Sequence, residues 1–456
     1  MSTNLPSGHA GSAGPLERLL RLVIQHRVLV VLLTLGVAIV GIFSLKRLPI
    51  DAVPDITNNQ VQINTVVASL GPFEMEKQVT YPVETALAGI RGLQYTRSIS
   101  RNGFSQVTAV FDDAVDVYFA RQQVAERLLQ ARESLPDGAE PMMGPVATGL
   151  GEVYMYVVEF DEQNTASQDG APGFQQDGSY LTPESERLVT HVERASYLRT
   201  VQDWIVAPQL KSVAGVAGID TIGGYEKQYH VQPDPASLIS RGLTFHDVIE
   251  ALEKNNVSTG AGHIEQNGES YTVRTDGRVR TMEDIAGFTV GVDEGTPIHL
   301  RDVAQIVIGK ELRTGSASKD GEEAVVGTAL MLLGENSRTV ATAVDARIKE
   351  VRKSLPSGVV VRTVLNREVL VDATIHTVAK NLIEGAVLVI VVLFLMLGNI
   401  RAAIIAALAI PISMLLAAMG MMRYGISGNL LSLGAIDFGI IIDGAVIIVE
   451  NCLRCL

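Results

Sequence analysis

The stretch LGAIDFGIIIDGAVIIVEN, residues 433–451, is apolar enough to lie in a lipid bilayer but carries three acids, Asp437, Asp443 and Glu450. A carboxylate at the centre of a bilayer costs about 3 kcal/mol on insertion scales, so each acid needs a reason to be there. At about 100° per helical residue, Asp443 and Glu450 share a helix face and Asp437 lies about 120° around from Asp443. Ionisable groups inside membranes generally serve ion or proton pathways. The alternative is that these side chains only pack against a neighbouring helix.

Hydropathy is distributed unevenly along the chain of 456 residues, which is 47% hydrophobic despite a formal net charge of −13. Three runs with almost no charge approach the roughly 20 residues that a helix needs to cross the hydrocarbon, and a fourth contains the opening stretch. We therefore predict four transmembrane helices, at residues 28–45, 382–400, 402–422 and 426–450. Such segregation is untypical of a soluble protein. We expect the protein to associate with a membrane and not with nucleic acid.

Positive charges predict the orientation of these spans. Three arginines precede the first apolar run: Arg18, Arg21 and Arg27. They predict that the N-terminal segment, residues 1–27, lies in the cytoplasm. If the spans alternate, Arg401 and Arg454 also lie in the cytoplasm, whereas Arg423 falls outside and counts against the scheme. No small-x-small cleavage site follows the first run, which favours an uncleaved anchor over a signal peptide.

The region between the first and second spans has the pattern of a domain assembly rather than a loop. A strand is predicted at Val61–Ala68, then a helix, then a hairpin with its tip at Asn102-Gly103, then a second helix near Val117–Leu135. The order βαββα is typical of a split βαβ, ferredoxin-like unit.

This unit appears twice in the sequence pattern. The apolar and glycine positions of ALAGIRGL recur in QLKSVAGV, and each stretch is predicted to lead into a hairpin turn, at Asn102-Gly103 and at Gly223-Gly224. RESLPDG (132–138) is likewise echoed by RKSLPSG (352–358). The self-similarity indicates duplicated α/β subdomains, with the second interrupted by an inserted domain at residues 221–310.

No metal-ligand set is evident in the outer region. The candidates are His230, His246, His263, His299, Met142, Met143, Asp112, Asp113 and Asp116. None has the short paired spacing of a preformed site, so each is interpreted as a surface or packing residue. Asp113 and Asp116 are also placed to cap the second helix. Cys452 and Cys455 form a single CxxC at the predicted cytoplasmic end, which is a weak metal or redox signal.

The segments DFGIIIDGAVIIVEN and LPIDAVPDIT (48–57) strongly resemble heavy-metal efflux pumps of the resistance, nodulation and cell division (RND) superfamily. The resemblance covers the whole chain and implies an α+β membrane protein. Its transmembrane helices would carry a large periplasmic region of ferredoxin-like α/β porter subdomains with an inserted docking subdomain. The expected parts are porter subdomain 1 at 46–138, porter subdomain 2 at 139–220 and 311–365, the docking subdomain at 221–310, a connecting helix at 366–381 and a truncated cytoplasmic end at 451–456.

The resemblance also implies a function. It places Asp437 and Asp443 in the proton pathway, with Glu450 near its cytoplasmic end. In carrying both aspartates, the chain resembles the branch of the family that exports divalent zinc, cobalt, cadmium or nickel. The implied protein is not an enzyme and has no cofactor, since the metal ion is its substrate. It works in the bacterial inner membrane as a homotrimer, with a periplasmic adaptor and an outer-membrane channel.

Alternatives remain at this point. Members of this family are about twice as long, so the chain is expected to be the N-terminal half of a pump, either as a fragment or as a truncated product that cannot pump alone. A copper or silver exporter, a drug exporter or a non-transporting membrane subunit are the other hypotheses. An aromatic content of 5%, with Trp204 as the single tryptophan, disfavours the aromatic pocket of a drug exporter.

The predicted topology can be tested with reporter fusions. A reporter fused after Gly358 should be active only outside the cytoplasm, and one fused after Asn399 only inside, because the flanking arginines favour the inner face. A cytoplasmic location for the Gly358 fusion would refute the four-span scheme.

Overall fold

The computed structural model describes residues 23, 25–48, 57–161, 170–275, 277–311, 315–397 and 400–424, together with 428, 444 and 447–449. Most of the predicted fourth span, 426–450, lies outside the described residues. So do the three acids Asp437, Asp443 and Glu450, and both cysteines.

Helix α1 (Arg27–Arg47) precedes a first α/β unit. This unit contains β1 (Gln60–Val66), helix α2 in three pieces (Pro72–Met75, the π turn Glu76–Thr80, and Tyr81–Leu87), β2 (Leu93–Arg101), β3 (Phe104–Phe111), α3 (Val117–Ala131) and β4 (Met142–Met143). The antiparallel sheet has the order β2–β3–β1–β4. With two helices in the order βαββαβ, this is the topology of a split βαβ unit.

Local sequence signals account for the first unit. Residues of β1 alternate, so that Val61 and Ile63 face a core that also contains Val124 and Leu128 of α3. The predicted hairpin is confirmed, since β2 and β3 pair up to Arg101↔Phe104 and Gly103 has a φ of +66°, where glycine has no steric penalty.

The chain then continues through a second unit that contains an insert. In chain order the elements are β5 (Glu152–Phe160), β6 (Gly173–Phe174), β7 (Tyr180–Leu181), β8 (Arg187–Leu188), α4 (His191–Val201, the π turn Gln202–Val206, and Ala207–Lys211), β9 (Val216–Ile222), β10 (Lys227–Pro233), α5 (Pro235–Ser240), α6 (Phe245–Asn255), β11 (Thr259–Gln266), β12 (Glu269–Thr275), α7 (Met282–Ala286), β13 (Thr289–Asp293), β14 (Thr296–His299), β15 (Ala304–Lys310), β16 (Ala317–Lys319), β17 (Glu322–Met331), α8 (Ser337–Val351) and β18 (Val359–Asn366). We call the elements from β10 to β15 the insert.

Strand β17 is central in the second unit. It pairs with β5 on one edge and with β9 and β16 on the other, and β5 pairs in turn with β18. The order β9–β17–β5–β18 repeats the order β2–β3–β1–β4 of the first unit. The prediction of a hairpin turn at Gly223-Gly224 is therefore wrong. There the chain leaves the sheet into the insert, β10 pairs with β15, and the partner of β9 arrives only after the insert.

The two units share three local details. Gly92 and Gly215, which precede β2 and β9, have φ values of +81° and +86°. The π turns of α2 and α4 each end two residues before a proline, Pro82 and Pro208. A proline lacks the N–H and crowds the carbonyl four residues earlier, so a wider turn relieves the clash. The echoed RESLPDG and RKSLPSG segments each begin with a 3₁₀ turn, Arg132–Ser134 and Arg352–Ser354.

Helix α1 precedes these units and three more apolar helices follow them. After β18 come α9 (Arg367–Leu397), α10 (Ile400–Ala407) and α11 (Ala409–Tyr424). Within the described residues, three segments are long and apolar enough to cross a membrane: Arg27–Arg47, Arg367–Val392 and Ala403–Tyr424. The predicted boundary between a connecting helix and the second span, at 381/382, falls inside the single helix α9.

Helices α1 and α11 pack closely at Gly41. A Cβ atom placed on Gly41 would lie 2.5 Å from Cβ of Leu415, whereas a Cβ on Gly36, one and a half turns earlier, would meet nothing within 4 Å. Small residues allow such close approach between helices in membranes.

We expect Gly41→Leu to disrupt this packing, because overfilling a packed contact costs about 1–3 kcal/mol. The melting temperature of the chain purified in detergent should fall. Gly36→Leu is the matched control and should leave it unchanged. Adding Leu415→Ala to Gly41→Leu should restore part of the loss, and equal melting of the Gly41 and Gly36 variants would contradict the contact.

Candidate functional site

The predicted proton relay cannot be placed, because Asp437, Asp443 and Glu450 all fall outside the described residues. The described part does show how the apolar helices are attached to the two α/β units. Attachment is the first requirement for any coupling between the apolar helices and these units.

Helix α9 connects the second unit to the second predicted span without a break. The side chain of Asn366 accepts a hydrogen bond from the Glu368 amide at 2.9 Å, and Val371 is fully buried. The Arg338 guanidinium of α8 donates to Asp372 of α9 at 2.7 Å. The first turns of α9 are thus in contact with α8 of the second unit.

The root of the insert is a second joint, where β9 leads to β10. Arg199 of α4 bonds Asp203 at 2.6 Å and donates to the carbonyl of Gly223 at 3.2 Å. Ser196 donates to the carbonyl of Tyr225 at 2.9 Å. Side chains of α4 therefore hold the outgoing strand of the insert on the second unit.

The returning strand is held by the outgoing one. The amide of Glu311 donates to the carbonyl of Glu226 at 3.0 Å, and the Lys310 ammonium lies 4.4 Å from the centre of the Tyr225 ring. Burial, and then the neighbouring Glu226 carboxylate, raise the pKa of Glu311 above its usual range. The Glu311 and Glu226 carboxylates therefore lie close together at the root of the insert.

The histidine candidates are dispersed over the insert. His230 approaches Gln228 at 3.2 Å, His299 approaches the carbonyl of Gly287 at 2.9 Å, His246 lies on α6 and His263 lies on β11. Among the residues that the structure describes, no three His, Cys, Asp or Glu side chains are grouped so as to hold a metal ion. The structure does not bring the candidates together, and the metal ligands stay unassigned.

The acidic residues before α3 have structural roles. Asp116 accepts from the amides of Tyr118 and Phe119, both at 2.9 Å, which confirms the predicted cap. Asp112 accepts from Gln94 at 2.5 Å. Asp113 makes no cap bond to α3, so the capping prediction holds for Asp116 only.

Sequence reasoning missed two further features. Glu159 of β5 accepts from Lys319 of β16 at 2.7 Å and from Arg362 of β18 at 2.5 Å, which ties three strands together. A cavity of about 670 Å³ lies between α4 and the β10–β15 ribbon. In both cases the residues are far apart in the chain, and no local spacing could have revealed them.

The family model described as the AcrB/AcrD/AcrF family matches residues 19–456, and the chain belongs to that family.

More particular similarities point to heavy metals. The chain is 56% identical to the nickel-cobalt-cadmium resistance protein NccA of Alcaligenes xylosoxydans xylosoxydans and 55% identical to the nickel and cobalt resistance protein CnrA of Cupriavidus metallidurans. Each match covers 96% of this chain and 41% of the relative. A crystal structure of a heavy metal efflux pump superposes with a TM-score of 0.79 at 34% identity, over 96% of this chain and 41% of that one. The chain thus spans about two fifths of the length of these relatives.

Replacing the cap of α3 provides a local test. Asp116→Ala should speed hydrogen exchange in the first turn of α3 by about fivefold, because loss of a cap costs about 1 kcal/mol. Exchange measured by mass spectrometry on peptides covering 117–121 reports this directly. Asp113→Ala is the matched control, and an equal effect of both variants would show that the cap is not specific to Asp116.

Proposed function

We propose that the chain forms part of a pump that exports divalent heavy-metal cations, namely nickel, cobalt, cadmium or zinc, out of the cell envelope. The observation that carries the proposal is the 56% identity to a nickel-cobalt-cadmium resistance protein over 96% of the chain. Family membership supports transport rather than catalysis.

The proposed energy source is the proton gradient. Asp437, Asp443 and Glu450 are the proposed proton relay, because they are three carboxylates in an otherwise apolar stretch. A carboxyl group that faces a bundle interior can bind a proton from one side and release it to the other. Helix α9 supports coupling, since it joins an apolar segment to the second unit in one continuous helix.

The proposed setting is the bacterial inner membrane, with the two units and the insert in the periplasm. There the pump would act as a homotrimer with a periplasmic adaptor and an outer-membrane channel. Because the chain spans 41% of its relatives, the complete gene product is the proper object for functional tests.

Metal selectivity is tested by tolerance. In a host that lacks its own heavy-metal exporters, the complete gene should raise tolerance to nickel, cobalt, cadmium or zinc and leave tolerance to silver and copper unchanged. Growth across a concentration series of each metal measures this. Protection against silver alone would indicate a monovalent-metal pump, and protection against organic dyes alone a drug exporter.

The proton relay is tested in the complete protein. Asp443→Asn should abolish export with the protein still inserted, because asparagine keeps the shape but cannot bind and release a proton. Asp437→Asn should have nearly the same effect, and Glu450→Gln a milder one, since the end of the span is closer to water. Metal transport into inverted vesicles, or out of vesicles loaded with metal, gives the readout. Asp293→Asn, in the exposed insert, is the control, and wild-type export by Asp443→Asn would leave only the packing role.

A further inference from the structure

The sequence contains two Asn-Gly pairs, Asn102-Gly103 and Asn267-Gly268, and each forms the tip of a hairpin. An asparagine followed by glycine loses its side-chain amide most easily, because glycine has no Cβ atom to hinder attack by its own backbone nitrogen. The two pairs share this local chemistry. Their surroundings differ, and that difference decides which of them can react in the folded chain.

The pair Asn102-Gly103, between β2 and β3, is held by a neighbouring segment of the first unit. The Gly103 amide donates to the carbonyl of Leu70 at 2.8 Å, and the Gly103 carbonyl accepts from the amide of Val67 at 2.8 Å. Gly103 is buried, and a Cβ atom placed on it would lie 3.0 Å from Cα of Ala68. The nitrogen that would have to attack is therefore both hydrogen-bonded and enclosed.

The pair Asn267-Gly268 lacks this support in the part of the chain that the structure describes. Strands β11 and β12 form a two-stranded sheet of their own, and every residue from 260 to 274 is exposed. A Cβ atom on Gly268 would meet nothing within 4 Å, and among described residues its amide has no backbone hydrogen bond outside the hairpin. A two-stranded hairpin without further packing is only marginally stable in water.

Transient opening of this hairpin is what the reaction needs. Ring closure requires rotation about the bonds of Asn267, which the folded turn holds at a φ of +55°. The reaction rate therefore follows the fraction of time for which the turn is open. The pairing of β11 with β12 is also irregular between Gly260 and Gly262, which further weakens the ribbon.

We propose that Asn267 is a site of spontaneous covalent modification, at which the side-chain amide is converted through a cyclic imide to aspartate and isoaspartate. The Gly268 nitrogen forms a bond to Cγ of Asn267, and the bond from Cγ to Nδ2 breaks. Nδ2 leaves as ammonia, together with the proton of the Gly268 amide. Solvent water then opens the ring, at Cγ to give aspartate or at the main-chain carbonyl carbon to give isoaspartate.

Both products should destabilise the hairpin. Each adds a negative charge at position 267, between Glu265 and Glu269, and like charges close together in a hairpin are unfavourable. Isoaspartate also routes the main chain through Cβ and Cγ, which lengthens a turn whose length sets the strand register. The modification would thus loosen the ribbon of β11 and β12 as the protein ages. It does not depend on the proposed metal export.

Incubation of the full chain tests the site. The chain is kept in lipid nanodiscs at growth temperature, and peptides that contain Asn102 or Asn267 are quantified by mass spectrometry over time. Enzymatic methylation with an isoaspartate methyltransferase identifies the isoaspartate product. Asn267 should convert at least about tenfold faster than Asn102, since Asn102 must first lose two further backbone hydrogen bonds. In denaturant, where both turns are unfolded, the two rates should be nearly equal.

Two glycine variants locate the reaction. Gly268→Ala should remove most of the conversion at Asn267, because the added methyl group hinders the attacking nitrogen. Gly295→Ala is the matched control, since Gly295 is also exposed, has a φ of +84° and has open space around its Cα atom. The proposal is overturned if Asn267 does not convert in the folded chain, if Asn102 converts equally fast there, or if both glycine variants convert alike.

Hydrogen exchange over residues 259–275 measures the consequence. The incubated chain should exchange faster than the fresh chain. Asn267→Gln, incubated in the same way, should exchange as it did before incubation, because the longer side chain forms a cyclic imide much more slowly. Equal exchange of fresh and converted chains would refute the loosening of the ribbon. Failure of metal export in the tolerance test would leave all of these results unaffected.

Discussion

The pairing of β17 with β5 on one edge and with β9 on the other is the interaction on which the second unit and its insert depend. Val325 lies opposite Val158, and Val326 lies opposite both Val157 and Ile222. Strand β17 is therefore paired on both edges and joins β5 and β9 in one sheet. Because β9 and β17 are adjacent, the chain must leave and re-enter the sheet at neighbouring points, and the insert is attached by the two-stranded ribbon of β10 and β15. The cost of closing a loop grows only slowly with its length, so a folded insert is tolerated there. The same sheet positions β18, from which α9 continues into the apolar region.

Much of the first unit could be predicted from sequence because its signals are local. Asn102-Gly103 forms the turn that its residues favour, and Asp116 caps the helix that begins next to it. The pairing of β9 could not be predicted in the same way. Gly223-Gly224 resembles a hairpin tip, but the competing strand β17 lies beyond the insert, and the tertiary pairing overrides the local turn preference. In the structure, β9 and β17 occupy the places that β2 and β3 have in the first unit, so the two units share one sheet order.

The candidate sites also differ in whether a local sequence signal reveals them. Charges in an apolar run are visible in sequence, so Asp437, Asp443 and Glu450 could be singled out without coordinates. Residue type alone was not enough to identify metal ligands. His299 is hydrogen-bonded to the carbonyl of Gly287, and the other histidines lie on separate elements. The cavity at the root of the insert had no sequence signal at all, because Tyr197, Lys227 and Val307 meet only through the pairing of β10 with β15.

Position rather than residue type decides what an acid does in this chain. In the outer region, Asp116 and Asp372 are near water, where a cap or an exposed ion pair contributes about 1 kcal/mol or less, and such groups are exchangeable parts of a surface. The same carboxylate in the apolar stretch of residues 433–451 costs about 3 kcal/mol, which no cap or surface pair offsets. In the proposed pump, a protonation change there would act on the second unit through α9, which continues from β18 into an apolar segment. At the start of α9, Val371 is buried, and the exposed Arg338–Asp372 pair adds a weaker contact with α8. Acids of the two α/β units thus have structural roles that do not require them to titrate, whereas the three acids of the apolar stretch are those of the proposed proton relay.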